Sequence, residues 1–311
     1  MRSTTLTLLV IALCPAVESS TFANAPQKKI RTARPSTKLP QTVSEQLDVV
    51  YADYGKRKMH MDVFTPKFGK APYPAIVVVH GGGWLKGNKS KFRALAIALA
   101  AKGYVTAAVE YRLGGEALFP AGIQDCNASV RFLRANAKRF KIDPHRIGAV
   151  GGSAGGHLVG LMATAPHIQE FQQAGGFRDA SSRLQAAIVM AGPLELASGP
   201  VAEKSRKMPA QSNANKWFGK TIDQAPELYK KASPYTHVSK NSPPILFMVG
   251  EHDKPERNAA TRKKLKKLGI KTGVKIYANG KHGCWNREPW FTPMVRDMDS
   301  FFNETLRPHS K

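Results

Sequence analysis

Residues Ala75–His80 read Ala-Ile-Val-Val-Val-His, an apolar and mostly β-branched run with no polar break before its last position. A run of that kind marks a parallel strand covered on both faces. Tyr104–Glu110, Arg146–Val150, Leu184–Met190, Ile245–Gly250 and Gly273–Ala278 read as further strands. Between them the pattern turns helical. Phe92–Lys102 is alanine-rich and stopped by Gly103, Pro120 opens a helix reaching about Phe140, and Ala154–Ala165 forms another. Two more helices are predicted from about Glu256 to Leu268 and near Pro293–Thr305. Leu47–Ala52 and His60–Phe64, on either side of Gly55-Lys56-Arg57, predict an opening hairpin. Strands alternating with helices predict an α/β fold, a mostly parallel central sheet with helices on both faces. Residues 193–240 break this rhythm with polar, irregular sequence, long enough for a cap or a substrate-facing excursion. No internal repeat is visible.

The first residues follow a different rule. Arg2, an apolar run from Leu6 to Val17 and the small-residue stretch Thr21-Phe22-Ala23-Asn24-Ala25 have the order of a secretory signal. Residues 1–23 are the expected leader, because cleavage after Ala25 would leave Pro26 as the next residue. The run is too short to span a bilayer comfortably, so no transmembrane segment is expected, and the location implied is secreted or periplasmic. Residues 24–44 are polar, proline-containing and basic, which reads as an extended linker before a body at 45–311.

Net charge is +25, and removing Arg2 and Glu18 with the leader leaves it unchanged. Such an excess invites a polyanionic partner. The cations are dispersed, however, over the Lys28-Lys29-Arg31-Arg34-Lys38 tail, the Lys263-Lys264-Lys266-Lys267 helix and several loops. No zinc finger, RNP motif or basic-aromatic array accompanies them, so no specific nucleic-acid partner is expected. A solvated basic surface fits better, with acidic polysaccharide or an anionic envelope as its contact. Export would permit a bridge between Cys126 and Cys284. One lies within a predicted helix and the other just past His282, which favours two free thiols.

Two glycine-rich segments carry the chemistry. His80-Gly81-Gly82-Gly83-Trp84 follows the third predicted strand, and Gly151-Gly152-Ser153-Ala154-Gly155-Gly156-His157 follows the fifth. Gly151-x-Ser153-x-Gly155 is the pattern of a nucleophile elbow, a sharp strand-to-helix turn whose flanking glycines leave room where a Cβ would clash. In open α/β sheets the functional groups gather beyond the carboxyl ends of the strands. Asp253, after the strand ending at Gly250, and His282, after the last strand, fall there too. The order Ser153, Asp253, His282 is that of a serine triad on this fold. A serine hydroxyl needs a base to take its proton during attack. His282 is that base in this reading, and Asp253 fixes its tautomer. The backbone N–H groups of Gly82, Gly83 and Ala154 are the expected oxyanion donors, the last aided by its place at a helix N-terminus.

Other readings compete at several positions. Gly81–Gly83 resembles a phosphate-cradling loop, but no Gly-Lys-Ser/Thr follows. Glu251 competes with Asp253 for the acid position. His157 fits packing beneath the elbow, His80 fits bracing of the glycine loop, and His252 adjoins Asp253 too closely to turn back onto it. Asp125 and Arg131 read as structural polar groups. Trp84, Trp285 and Trp290 flank the motifs, where either an aromatic wall for an aryl or sugar ring or ordinary core burial accounts for them.

Over residues 45–306 the chain resembles the α/β-hydrolase superfamily. The likeness is to its HGGG-bearing esterases, near the hormone-sensitive-lipase group and the bacterial feruloyl or acetyl-xylan esterase group. It is carried by the two glycine motifs, Asp143-Pro144-His145-Arg146-Ile147, Ala232-Ser233-Pro234, Pro243-Pro244-Ile245-Leu246, and the block from His282 to Phe291. Glu195 in Gly192-Pro193-Leu194-Glu195 stands where such relatives often carry Asp. The resemblance implies a serine carboxylester hydrolase, working through an acyl-enzyme on short-acyl esters such as those of acetylated or feruloylated polysaccharide. It calls for no metal or organic cofactor. A lipase and a prolyl-oligopeptidase-like peptidase share the fold and triad. From another class comes a catalytically silent carbohydrate-binding protein on the same scaffold.

Overall fold

The apolar runs become the strands of one eight-stranded sheet in the order β1-β2-β4-β3-β5-β6-β7-β8. The strands are β1 (Val43–Asp53), β2 (Lys58–Pro66), β3 (Tyr73–Val79), β4 (Val105–Val109), β5 (Ile142–Gly152), β6 (Ala186–Met190), β7 (Ile245–Gly250) and β8 (Thr272–Tyr277). β2 pairs antiparallel with both β1 and β4, and every other pairing is parallel. The computed structural model describes Met1 and residues 30–307, so the expected leader and the first part of the basic tail lie outside the described residues. Met1–Arg31 and Thr32–Lys311 are separate units, and all the elements here belong to the second.

The period-two rule sorts β3 between two cores. Ala75, Val77 and Val79 join one apolar cluster, while Ile76 and Val78 join the other. Helices α2 (Ala121–Ala135) and α4 (Ala154–Thr164) cover the first. On α2, Ile123, Cys126, Val130 and Leu133 form the buried stripe expected at helical spacing. Helix α1 (Arg93–Ala100) and the last helix, α10 (Phe291–Leu306), cover the second, the latter through Phe291, Met294, Val295, Met298, Phe302 and Leu306. The α/β reading of the sequence therefore holds, with helices on both faces.

Three local expectations are corrected. The helix opened by Pro120 breaks at Asn136, and its last turn is a separate α3 (Ala137–Phe140) closed by Lys141 at φ 58°. Residues 193–240 are not irregular. They form α5 (Gly199–Lys207), α6 (Asn213–Phe218), α7 (Pro226–Lys231) and α8 (Pro234–His237), three of them with proline in the first turn. Proline at that position costs no hydrogen bond and presets φ, but helices this short display no readable period. Finally, α9 (Ala259–Lys267) begins after Asn258 rather than at Glu256.

The tail meets the body at Ala33, which forms an isolated antiparallel bridge with Glu288. The backbone N–H of Glu288 donates to the carbonyl of Ala33 at 2.9 Å, and the first strand already begins at Val43. Among the described residues no helix is long and apolar enough to cross a membrane.

Candidate active site

Strand β5 delivers Ser153 into an unusual backbone conformation, φ 56° and ψ −123°, before α4 begins. Such a turn holds because its neighbours lack side chains. A Cβ on Gly155 would lie 2.2 Å from the carbonyl oxygen of Val79. The turn is tied down by its own backbone: Ser153 N–H donates to Met190 O at 2.8 Å, and His157 N–H to Ser153 O at 3.0 Å.

The hydroxyl of Ser153 lies 3.0 Å from His282 Nε2, and His282 Nδ1 lies 2.6 Å from Asp253 Oδ2. An ionised carboxylate only accepts, so Nδ1 carries the proton and Nε2 is left to accept from the serine. Asp253 is 6% exposed and His282 48% exposed, so the acid is shielded while the imidazole faces the substrate side. The three residues named from the sequence thus converge from the ends of three strands. Glu251 does not compete: its Oε2 accepts from Asn279 N–H at 2.7 Å. His252 is exposed, and its N–H is bound to Gly280 O.

The glycine loop passes directly against the elbow. A Cβ on Gly81 would fall 3.1 Å from Ser153 Cβ. Gly82 adopts φ 141°, and a side chain there would collide with the Lys86 carbonyl at 1.7 Å. Among the described residues, no protein acceptor takes the N–H groups of Gly82, Gly83 or Ala154. His80 braces this loop, as its sequence position suggests. Its Nδ1–H donates to Gly81 O at 3.0 Å and its ring stacks on Tyr111 at 4.4 Å. Burial holds its pKa down to about 4.

His157 is structural. It accepts from Trp84 Nε1 at 3.1 Å, donates through Nε2 to Ala232 O at 2.7 Å, and is kept neutral by burial, with a pKa near 4. The aromatic-wall reading fails for Trp84 and Trp285. Trp84 is 6% exposed and stacks on Trp217 of α6 at 5.1 Å, which docks the helical excursion beneath the glycine loop. Trp285 is 4% exposed, its ring edge-on to His282 at 5.1 Å. Trp290 is half-buried and donates to Ala278 O at 2.8 Å. Asp125 holds Arg112 and Tyr54, and Arg131 ties down the carbonyl of Ala174, both away from the triad. Cys126 and Cys284 are buried free thiols, burial pushing the pKa of Cys284 up to about 11.

Sequence reasoning missed Arg257 and Asn258. Arg257 Nη2 donates to the other oxygen of Asp253 at 2.8 Å, and its Nη1 to Ala191 O at 2.8 Å. Asn258 accepts from Leu194 N–H and donates to Gly192 O, clamping the segment after β6 to the segment after β7. The sequence signal was an arginine four residues after the acid. A cavity of about 630 Å³ opens beside these residues, lined by Pro193, Leu194, Glu195, Lys254, Glu256 and Arg257 among others.

Sheet order, elbow and Ser-Asp-His convergence together define an α/β-hydrolase. The BD-FAE family model matches residues 61–267, and the chain belongs to that family. The matched segment holds the glycine loop, Ser153 and Asp253, while His282 lies beyond it. Among curated proteins, the probable carboxylic ester hydrolase LipM of Mycobacterium tuberculosis is 31% identical over 209 residues, covering 66% of this chain and 47% of LipM. Esterase LipC of the same organism is 30% identical over 186 residues, 58% of this chain and 45% of LipC. The chain thus spans about half the length of these relatives. Among solved structures, a truncated carbohydrate esterase from gut microbiota superposes with a TM-score of 0.76 at 25% identity, over 88% of this chain and all of that one. The Thermogutta terrifontis esterase Est2 with propionate bound shares the fold, with a TM-score of 0.70 at 24% identity, over 87% of this chain and 98% of its own.

Proposed function

We propose that the protein is a serine carboxylester hydrolase acting on short-acyl esters, with acetylated or feruloylated polysaccharide as its substrate class. The observation that carries this reading is the hydrogen-bonded line Ser153–His282–Asp253 set beside three N–H groups without an acceptor. Ser153 Oγ attacks the ester carbonyl carbon while His282 Nε2 takes its proton. The carbonyl oxygen becomes an oxyanion as the carbon turns tetrahedral. Gly82, Gly83 and Ala154 are its donors, each worth about 3 kcal/mol where such donors have been removed. Collapse expels the alcohol, which leaves with the proton held by His282. Water then repeats the sequence on the acyl-enzyme with His282 as base again.

The esterase names of the relatives and the carbohydrate esterase among the structural neighbours support the substrate class. Export belongs to the same proposal: the leader at 1–23 predicts a mature protein beginning at Asn24, checked by N-terminal sequencing. Labelling by a fluorophosphonate probe tests the chemistry. Wild-type protein is expected to be labelled at Ser153 and the Ser153→Ala variant not at all. Labelling elsewhere, or none in a protein that hydrolyses p-nitrophenyl acetate, would overturn the triad.

A further inference from the structure

Among the described residues, several partly buried cations of this basic chain have carboxylate partners. Lys89 and Arg93 sit on Asp62, Arg112 on Asp125, and Arg257 on Asp253. Arg34, Lys91 and Arg287 are exposed, and among the described residues none of the three forms an ion pair. They come from three separate stretches of chain, yet they line one groove of about 420 Å³, within the range of ligand sites, roughly 300–1,000 Å³. Thr37, Ser90 and Asn286 add hydroxyl and amide groups, and no carboxylate and no aromatic ring lines it. The nearby acid, Glu288, is occupied: its Oε1 accepts from the Thr292 hydroxyl at 2.7 Å.

The groove shares its walls with the catalytic centre. Lys91 Nζ lies 3.5 Å from the carbonyl of Gly81, the residue packed against Ser153. Asn286 and Arg287 continue the turn that begins at His282 and passes through Trp285. These contacts set a groove of unneutralised positive charge against the segments that build the catalytic centre.

We infer that this groove is a subsite for a carboxylate-bearing sugar unit, a uronate, in the same saccharide chain whose ester is hydrolysed. The inference rests on the ester-hydrolase reading above. Guanidinium forks match a planar carboxylate in paired hydrogen bonds. Single-stranded nucleic acid fits poorly, because it needs aromatic platforms for base stacking and the groove has none.

The full chain is assayed on p-nitrophenyl acetate, on acetylated xylo-oligosaccharides, which are neutral, and on acetylated oligogalacturonides. The Arg34→Gln/Arg287→Gln variant is expected to keep its rate on the first two within twofold. On the oligogalacturonide its KM is expected to rise about fivefold, the loss of two partly screened charge contacts, and Arg34→Lys/Arg287→Lys is expected to recover part of that loss. In the wild type, unesterified oligogalacturonate is expected to compete with the oligogalacturonide ester, and less so as NaCl rises from about 20 to about 300 mM. Equal losses on neutral and anionic saccharides, no loss on the anionic one, or stronger competition from oligothymidylate than from oligogalacturonate would overturn the subsite. The wild-type competition requires no variant, so it decides the matter even if the double substitution misfolds. Failure of the wild type on every ester would instead overturn the hydrolase reading.

Discussion

Arg257 is the residue whose removal tests the geometry most sharply, because it touches the triad without belonging to it. Its guanidinium donates to Asp253 Oδ1 at 2.8 Å and to Ala191 O at 2.8 Å, while Asp253 presents its other oxygen to His282. The carboxylate is 6% exposed and the arginine 26%, so water cannot fully replace the lost contacts. Arg257→Met would strip a charge-assisted hydrogen bond, worth about 1.5–3 kcal/mol, and leave a shielded carbonyl without its donor. We expect about 2 kcal/mol of destabilisation in a denaturant titration. The carboxylate would then be held only by the imidazole it must orient. A loss of about tenfold in kcat, or roughly 1.4 kcal/mol of barrier, is expected with p-nitrophenyl acetate. KM is expected to stay within twofold, since so small an ester does not extend into the adjoining cavity. Arg257→Lys should recover part of kcat, its single ammonium reaching one acceptor but not both. The effect should also vanish when Asp253 is already Asn, because Arg257 acts through that carboxylate. An unchanged kcat in a folded Arg257→Met protein, or a raised KM with kcat intact, would refute the positioning role.

Asp253→Asn is expected to cost on the order of 10⁴ in kcat by analogy with other serine triads, whereas Glu251→Gln is expected to be nearly silent; the reverse ranking would reassign the acid. Across p-nitrophenyl acetate, butyrate, octanoate and palmitate, kcat/KM is expected to peak at the short end. The helical excursion at 193–240 is rich in Lys, Ser, Asn and Gln, and polar walls forfeit the roughly 0.8 kcal/mol that each buried methylene contributes; a maximum at octanoate or beyond would favour a lipase. Stability is expected to fall on acidification, because burial depresses His80 and His157 to about 4 while the unfolded imidazoles titrate near 6.5. Between those values the unfolded chain binds more protons, so stability is lost as pH drops from about 6.5 toward about 4. His157→Gln should flatten that slope of unfolding free energy against pH, and an unaltered slope would refute the assignment.

The parts of this molecule legible in its sequence are those governed by local rules. Strand β3 could be read because every position from Tyr73 to Val79 is buried, which imposes an unbroken apolar run. The elbow could be read because its backbone tolerates only glycine at fixed offsets from Ser153. The triad followed from the elbow, from the residues that fall after strand ends, and from their order along the chain. What stayed hidden depends on partners distant in sequence. Trp84 sits beside the glycine loop in the chain and was open to either a substrate or a core role; its place was settled by Trp217, a residue from an excursion whose inner face no periodicity announces. Residues 254–258 misled for a related reason. The sequence places the start of the following helix at about Glu256. Lys254 at φ 53° and Asn258 at φ 68° instead make a tight turn. That conformation is held by hydrogen bonds from Asn258 to Gly192 and Leu194 on the neighbouring strand's loop. The same bonds that defeat the helical reading bring Arg257 to Asp253. Where local preference was overridden, the override served the site: the turn costs the chain a helical start and gives the catalytic acid its second partner.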